Sequence, residues 1–507
     1  MQTKRAWFIA LGILAVYLGL AIAGVRTVMP WSDEAWFSSP ALNLLTKGYM
    51  GTSVLDPTSS WRTNVLTGIN QYTYWIVPLY PLAQAGWYKL VGFSLYSMRL
   101  LSVGWGLVAL LAWYGIMKAL SGDRRVALLT VALLAIDFQF LWSASVGRMD
   151  MMCAALGQAG LAAFLLLRPN HFPLAVLVSQ SLVAASGLSH PVGLVAFVEL
   201  LFLLLYYDRT RIRLVHVGIA AIPYLVGTAG WGWYISKNPS YFVAQFGGNA
   251  ADRFLSIRSP LEALRLQFVE RYLYMYGFAP TTKGLSHLKI FVLLAYVVGV
   301  VGALSNRGIC RQKGYRVLLL LWAISSVTLS IIDWNVSFFY LIHFVQPLVA
   351  VLAVWVIWCW DHRTIPRWVL TTGLAGLVCV QLGVTGYRMA QNAYENSYMA
   401  AVRVLKQNTS KTDLIMGSAE LAFQLGFDSN LVDDYRLGFR SGKKPDVVVI
   451  DENHYAEWIP LLLAQEPDTY RYITQMLSKE FQPVYKERAY EIYVRKNVRP
   501  TSVSADR

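Results

Sequence analysis

Between Trp7 and Tyr387 the chain repeats long apolar blocks separated by short polar loops. Each block runs roughly 18–22 residues, the length a helix needs to cross a hydrocarbon core of about 30 Å. A water-soluble core does not require such blocks so many times over. In hydrocarbon every backbone polar group must be satisfied within its own segment, so blocks of this kind fold as helices. Charged residues make up only 14% of the 507 positions, against about a quarter in a soluble domain. The sequence therefore predicts an α-helical polytopic membrane protein with about eleven transmembrane helices. Those spans fall at 7–23, 97–119, 125–143, 150–168, 173–188, 191–207, 214–235, 287–305, 317–333, 338–360 and 367–387.

A net charge of +15 invites a nucleic-acid reading, but the basic residues are not arranged for one. They cluster in short loops: Arg209, Arg211 and Arg213; then Arg307, Arg311, Lys313 and Arg316; then Arg363 and Arg367. This is the positive-inside pattern, which sets topology. No nucleic-acid partner is expected. Counting from a cytoplasmic N-terminus, marked by Lys4 and Arg5, all three clusters land inside. Ala21-Ile22-Ala23-Gly24 resembles a signal-peptide cleavage site, yet a retained first helix is the preferred reading. Either way Asp33 emerges outside. The four cysteines, Cys153, Cys310, Cys359 and Cys379, avoid the outer segments and read as buried small hydrophobes rather than a disulfide framework.

The domain reading is a transmembrane part at 1–387 and a soluble extracytoplasmic α/β domain at 388–507. Within the first part, residues 26–96 form a long outer loop rich in Trp, Tyr, Pro and Gly, expected as helices lying on or dipping into the interface. Residues 237–286 form a second outer loop. After 388 the apolar blocks stop. Ala400–Gln407 and Glu420–Leu425 read as helices, while 413–418, 446–451 and 491–495 read as strands. Gly438 and Gly442 are too sparse for a nucleotide-binding fingerprint.

The informative residues are ionisable groups at the predicted membrane surface. Trp31-Ser32-Asp33-Glu34-Ala35-Trp36 follows the first helix and sets two carboxylates beside aromatic anchors. The structural alternative is a helix start, with Ser32 as N-cap and the acids at the positive end, or a short helix from Ser39-Pro40 to Lys47. Gly147-Arg148-Met149-Asp150 lies on the same side, where Asp150 also fits an N-cap. His190 sits in a break between two apolar blocks, and His343 follows Tyr340 inside another, where a polar group needs a partner. Lys89 and Arg99 end the first outer loop.

Together these features resemble the GT-C glycosyltransferases. The likeness is to members similar to glycosyltransferase family 39, of the aminoarabinose-transferase and protein-mannosyltransferase kind. Asp33-Glu34 with Leu44-Leu45 and Gly48-Tyr49 resembles their first-loop motif. Pro78-Leu79-Tyr80, Trp87-Tyr88-Lys89-Leu90-Val91-Gly92 and Ser97-Met98-Arg99-Leu100-Leu101-Ser102 resemble the stretches that follow it. Gly147–Asp150 resembles the second acidic loop, and His190-Pro191-Val192-Gly193 the Lys-Gly-Pro-Val-Gly turn. The likeness covers roughly residues 5–360. It departs at Ile76, where many members carry lysine, and at Ser189-His190, where the turn lysine is replaced.

The resemblance implies a GT-C fold and inverting sugar transfer from a polyprenyl-phosphate donor to an acceptor hydroxyl at the outer face. Asp33 is then the general base, Asp150 its partner in orienting the acceptor or holding a cation, and Glu34 an acceptor contact. Tyr80, Lys89, Arg99, Arg148, His190 and His343 are candidates for the donor phosphate. No obligate cofactor is expected; a divalent cation held by Asp33 and Asp150 stays open. The expected partners are the lipid-linked donor, an acceptor that is a lipid-linked glycan, lipid or protein, and membrane lipids. A bacterial inner membrane is the expected location, with the soluble domain in the periplasm. The rival readings are a transporter or flippase of lipid-linked or small polar substrates, and a membrane-anchored receptor.

Overall fold

The computed structural model describes residues 2–59, 65–250, 262, 265–280, 282, 284–333 and 338–496. Parts of both outer loops (60–64 and 251–261), the end of the tail (497–507) and the side chains of Lys4 and Arg5 lie outside the described residues.

The first ten helices are α1 Gln2–Thr27, α2 Ser32–Lys47, α3 Leu79–Val91, α4 Leu95–Ser121, α5 Arg124–Ile136, α6 Phe138–Ser145, α7 Met149–Leu167, α8 Phe172–Ser189, α9 Leu194–Asp208 and α10 Leu214–Ile235. Four more long helices follow: α11 Lys289–Ser305, α12 Lys313–Ile332, α13 Ile342–His362 and α14 Arg367–Gln391. Among the described residues 10 helices are long and apolar enough to cross a membrane, or 11 if the bent pair α5 and α6 is one span. The chain is an integral membrane protein.

The expected straight span at 125–143 is broken by 60°. Asp137 is the cause. Its carboxylate accepts from Gln139 N at 3.0 Å and Phe140 N at 2.8 Å, ending one helix and capping the next. The Tyr296 hydroxyl and Gln381 Nε2 also donate to it, so the buried charge is fully partnered.

α7 and α13 form the bundle's centre, whereas α10 buries none of its residues and faces the surrounding lipid. Gly157 and Gly160 allow the close approach at this centre. A Cβ at Gly157 would stand 2.6 Å from Ala196 Cβ, and one at Gly160 3.0 Å from Ser179 O. Small residues are what let helix backbones meet in a membrane.

α2 departs from the expected interfacial helix in two ways. It runs unbroken through Pro40 and begins at Ser32, with the Glu34 carboxylate accepting from Trp31 N at 3.1 Å, so Ser32 is not the cap. Gly48 stops it in the left-handed region at φ 78°. It is also buried on both sides: Phe37 and Ala41 pack with Met98 and Met149 of the bundle, while Ala35 joins the core of the tail domain.

The tail domain is a mixed five-stranded sheet of β1 Ile415–Met416, β2 Leu431–Val432, β3 Val447–Asp451, β4 Phe481–Glu487 and β5 Tyr490–Arg495, in the order β2-β1-β3-β5-β4. β1 pairs in parallel with β2 and β3, and β5 runs antiparallel to β3 and β4. The Val-Val-Val-Ile run of β3 is buried throughout, as a central strand requires. Helices α15 Ala400–Asn408, α16 Tyr455–Gln465 and α17 Pro467–Glu480 accompany it. Beyond β2 the first outer loop continues the sheet: Asp433 N donates to Val54 O at 2.8 Å, and Asp56 N to Asp433 O at 3.1 Å. Lys443 then pairs with Asp56 at 2.6 Å, and Lys47 with Asp428 at 2.5 Å.

Candidate functional site

The start of α2, the start of α7 and the turn before α9 converge at the tail-domain end of the bundle. Arg148 is the hub. Its guanidinium pairs with Asp33, and its Nε donates to Asp150 Oδ2 at 2.9 Å. It lies flat against Phe339, 3.5 Å from the ring centroid, with Phe37 at 5.3 Å. Stacking fixes the cation, and the cation fixes both acids. A metal shared by Asp33 and Asp150 would have to displace Arg148. Among the described residues no group of three His, Cys, Asp or Glu side chains is arranged around a metal position.

Asp33 and Arg148 border a cavity of about 360 Å³, together with Trp75, His190, Tyr340 and Asn249. His190 is held by Val192 N, which donates to Nδ1 at 3.1 Å, and its Nε2 lies 3.3 Å from the Tyr340 hydroxyl. Val77, Pro191, Leu194 and Phe246 line this cavity and also a neighbouring apolar groove of about 440 Å³. That groove lies among α8, α9 and lipid-facing α10, with Leu188, Phe197 and Tyr224 in its walls. The chamber that holds Asp33 and Arg148 therefore adjoins an apolar groove on the α10 side of the bundle.

The other expected residues divide sharply. Asp150 is 3% exposed, and its Oδ1 has no hydrogen-bond partner among the described residues. His343 is similarly buried, with Nε2 unpartnered there and within electrostatic reach of Asp150. Glu34 and Arg99, expected at acceptor and donor, are instead sealed against each other, both 0% exposed. Arg99 Nε reaches Glu34 Oε1 at 2.8 Å and Nη2 reaches Oε2 at 2.6 Å, while Nη1 donates to Val25 O and Val28 O. Gly147 N donates to Glu34 Oε1 at 2.7 Å. This bidentate clasp ties α1, α2, α4 and the Arg148 turn together, leaving neither partner a face on the cavity. Tyr80 is 0% exposed in the packing behind α2, and Lys89 is exposed at the end of α3, apart from the cavity.

Arg271 escaped the sequence reading. It sits fully buried in the helical stretch Gln267–Phe278, paired with Asp333, and its Nε and Nη1 have no hydrogen-bond partner among the described residues. It lies within electrostatic reach of Tyr340 and His343. A lone arginine among aromatic residues in an outer loop carries no spacing signal that would single it out. Tyr340 was visible only as a neighbour of His343.

The helical bundle with its appended mixed-sheet domain has the GT-C fold seen in solved membrane glycosyltransferases. ArnT from Cupriavidus metallidurans, solved bound to undecaprenyl phosphate, superposes with a TM-score of 0.63 at 14% identity, over 96% of this chain and 97% of that one. The Archaeoglobus fulgidus oligosaccharyltransferase gives 0.55 at 14% identity, over 97% of this chain and 75% of that one. The same archaeal protein, AglB, in complex with an inhibitory peptide and a dolichol-phosphate, gives 0.52 at 12% identity, over 98% and 76%. No protein-family profile matches the sequence, and neither does any curated protein.

Proposed function

We propose that the chain is a membrane glycosyltransferase that moves a sugar from a polyprenyl-phosphate donor to an acceptor hydroxyl, with inversion, at the tail-domain face. The observation that carries this reading is that the Asp33–Arg148 cavity lies against the apolar groove along α8, α9 and α10, with Val77, Pro191, Leu194 and Phe246 lining both. An isoprenoid chain needs an apolar groove of this kind, and its charged head needs ionisable groups beside it. The neighbours solved with undecaprenyl phosphate and dolichol-phosphate favour the same donor class.

In this reading the acceptor oxygen attacks C1 of the sugar from the side opposite the phosphate. Asp33, on the cavity wall, takes the acceptor proton as the new C–O bond forms. The old C1–O bond breaks, and its electrons stay on the departing polyprenyl phosphate. Tyr340 and His190, on the cavity wall, hydrogen-bond that phosphate, and buried Arg271, within electrostatic reach of Tyr340, adds positive charge from behind it, with His343 beside Arg271. Arg148 keeps Asp33 aimed, and Asp150 keeps Arg148 in place. Glu34 and Arg99 position the loop that carries them.

In this reading the N-terminus lies in the cytoplasm and the tail domain outside, as the basic loops favour, and the membrane is a bacterial inner membrane. A lipid-linked glycan, a lipid or a protein is the acceptor class. The test is turnover by purified protein with a series of lipid-linked sugar donors. Asp33→Asn retaining full transfer would remove the base assignment, and absence of transfer from every polyprenyl-phosphate donor would remove the enzyme reading. Mass spectrometry of surface glycans after gene deletion names sugar and acceptor together.

A further inference from the structure

A second polar cavity stands at the tail-domain end of the bundle, between the start of α11 and the end of α14. It measures about 50 Å³ and is bordered by Lys289, Arg388, Thr385, Trp142, Ser145 and Val28. Neither Lys289 nor Arg388 has an ion pair or donates a hydrogen bond among the described residues. Their contacts are aromatic: Lys289 Nζ lies 5.2 Å from the Phe138 ring centroid, and the Arg388 guanidinium 5.5 Å from that of Trp142. Lys289 is moreover within electrostatic reach of Arg388, so the two charges oppose each other.

This arrangement is costly as it stands. Two cations at the end of a membrane bundle normally face acids or backbone carbonyls. Basic residues are also kept mostly to the opposite membrane face, where this chain puts its three clusters. Thr385 supplies an independent indication. It is 7% exposed, borders the same cavity, and its Oγ1 has no hydrogen-bond partner among the described residues. An anion would satisfy all three groups at once, and a cation or a neutral sugar would not.

We propose that this cavity binds the phosphate of an anionic phospholipid from the adjoining leaflet. The volume suits one tetrahedral phosphate, being several waters' worth of space, and is too small for a sugar ring. Basic pockets between transmembrane helices are a recurring way to hold lipid headgroups. The site is separate from the donor chamber. The Trp142 ring stacks on Phe339 with centroids 5.1 Å apart, and Phe339 in turn lies beneath Arg148. An aromatic layer thus divides the two cavities, with Asp33 on one side and the lipid phosphate on the other. The inference does not depend on the glycosyltransferase reading.

The test is native mass spectrometry of the full-length protein in mild detergent, given equal amounts of phosphatidylglycerol and phosphatidylcholine. Wild type is expected to retain one phosphatidylglycerol more than Lys289→Gln/Arg388→Gln at matched activation, with a preference over phosphatidylcholine of roughly tenfold for that lipid. Lys289→Arg keeps it. Thr385→Val, which leaves both charges and tests the site without disturbing them, weakens retention about threefold. Equal retention by wild type and the double variant, or no preference over phosphatidylcholine, would overturn the proposal. Displacement of the lipid by millimolar inorganic phosphate would overturn it too, by showing that a free anion is the ligand.

Discussion

On one flank of α2, Asp33 and Asp150 share a single guanidinium and Asp33 looks into a cavity. On the other flank, inside the tail domain, Glu420, Asp433 and Asp451 gather near His454. There Tyr455 donates to Asp433 Oδ1 at 2.9 Å, Tyr490 to Glu420 Oε1 at 3.1 Å, and Trp36 reaches across from α2 to Asp433 Oδ2 at 2.9 Å. Both clusters are acidic and largely buried, yet they differ in what completes them. The first is held by a stacked cation and borders a cavity through Asp33. The second is closed by hydroxyls and an indole and is spent on joining two halves of the protein. Burial pushes the Glu420 and Asp451 carboxyls up, and for Glu420 the Asp451 charge adds to it. Burial alone would push His454 down, but Asp433, with Asp451 and Glu420 beyond it, lifts it to about 9. The two clusters are alike in density of acids and differ in access to a cavity.

The comparison breaks most easily at Asp33. Asp33→Asn should lower turnover by about 10²–10⁴-fold while leaving thermal unfolding where it was, because a general base is lost but the Arg148 stack remains. Loss of fold instead of rate would make Asp33 an architectural acid like Asp433. Arg99→Ala should do the reverse. It strands the Glu34 charge in a sealed site, at a cost of about 3–5 kcal/mol, read as a lower melting temperature and poor yield. An Arg99→Ala protein that is stable but inactive would return Arg99 to the substrate. Arg271→Gln should raise KM for the lipid-linked donor roughly tenfold, with a smaller change in kcat, and, because it removes the ion-pair partner of buried Asp333, should also lower the melting temperature.

The mildest effect is expected from pH. His454 has a folded pKa above its ordinary 6.5, and Glu420 one above its ordinary 4.5. Groups raised in this way contribute fully below their unfolded values and lose that contribution as pH rises through their folded ones. The junction should therefore melt roughly 5 °C lower at pH 9 than at pH 6, followed by tryptophan fluorescence. Glu420→Gln should flatten that slope without touching turnover at pH 6. An opposite slope would mean that the carboxylates, not their protonated forms, hold the tail in place.

Length and hydropathy made the spans legible, since nothing else in a protein needs so long an apolar run. The break at Asp137 was not legible, because a buried aspartate that caps a helix reads like any polar interruption. Asp33 and Glu34 are neighbours in sequence with opposite fates. One helical residue is a turn of about 100°, so one faces the cavity and the other the Arg99 clasp, and no motif distinguishes them. In the tail, the buried run of β3 announced itself, whereas β2 is only Leu431–Val432 and β4 shows a mostly exposed face. Arg271 needed the fold to bring a distant loop against α13.

The bond between Val54 and Asp433 has a further meaning. Because the tail domain borrows backbone from the same loop whose beginning carries Asp33, it anchors that loop although none of its own described residues lines the cavity. A molecule gripping the outer sheet would pull on the Asp33 carboxylate through about twenty residues of shared chain. Trimming the protein to its membrane helices would leave that carboxylate on an unanchored strap.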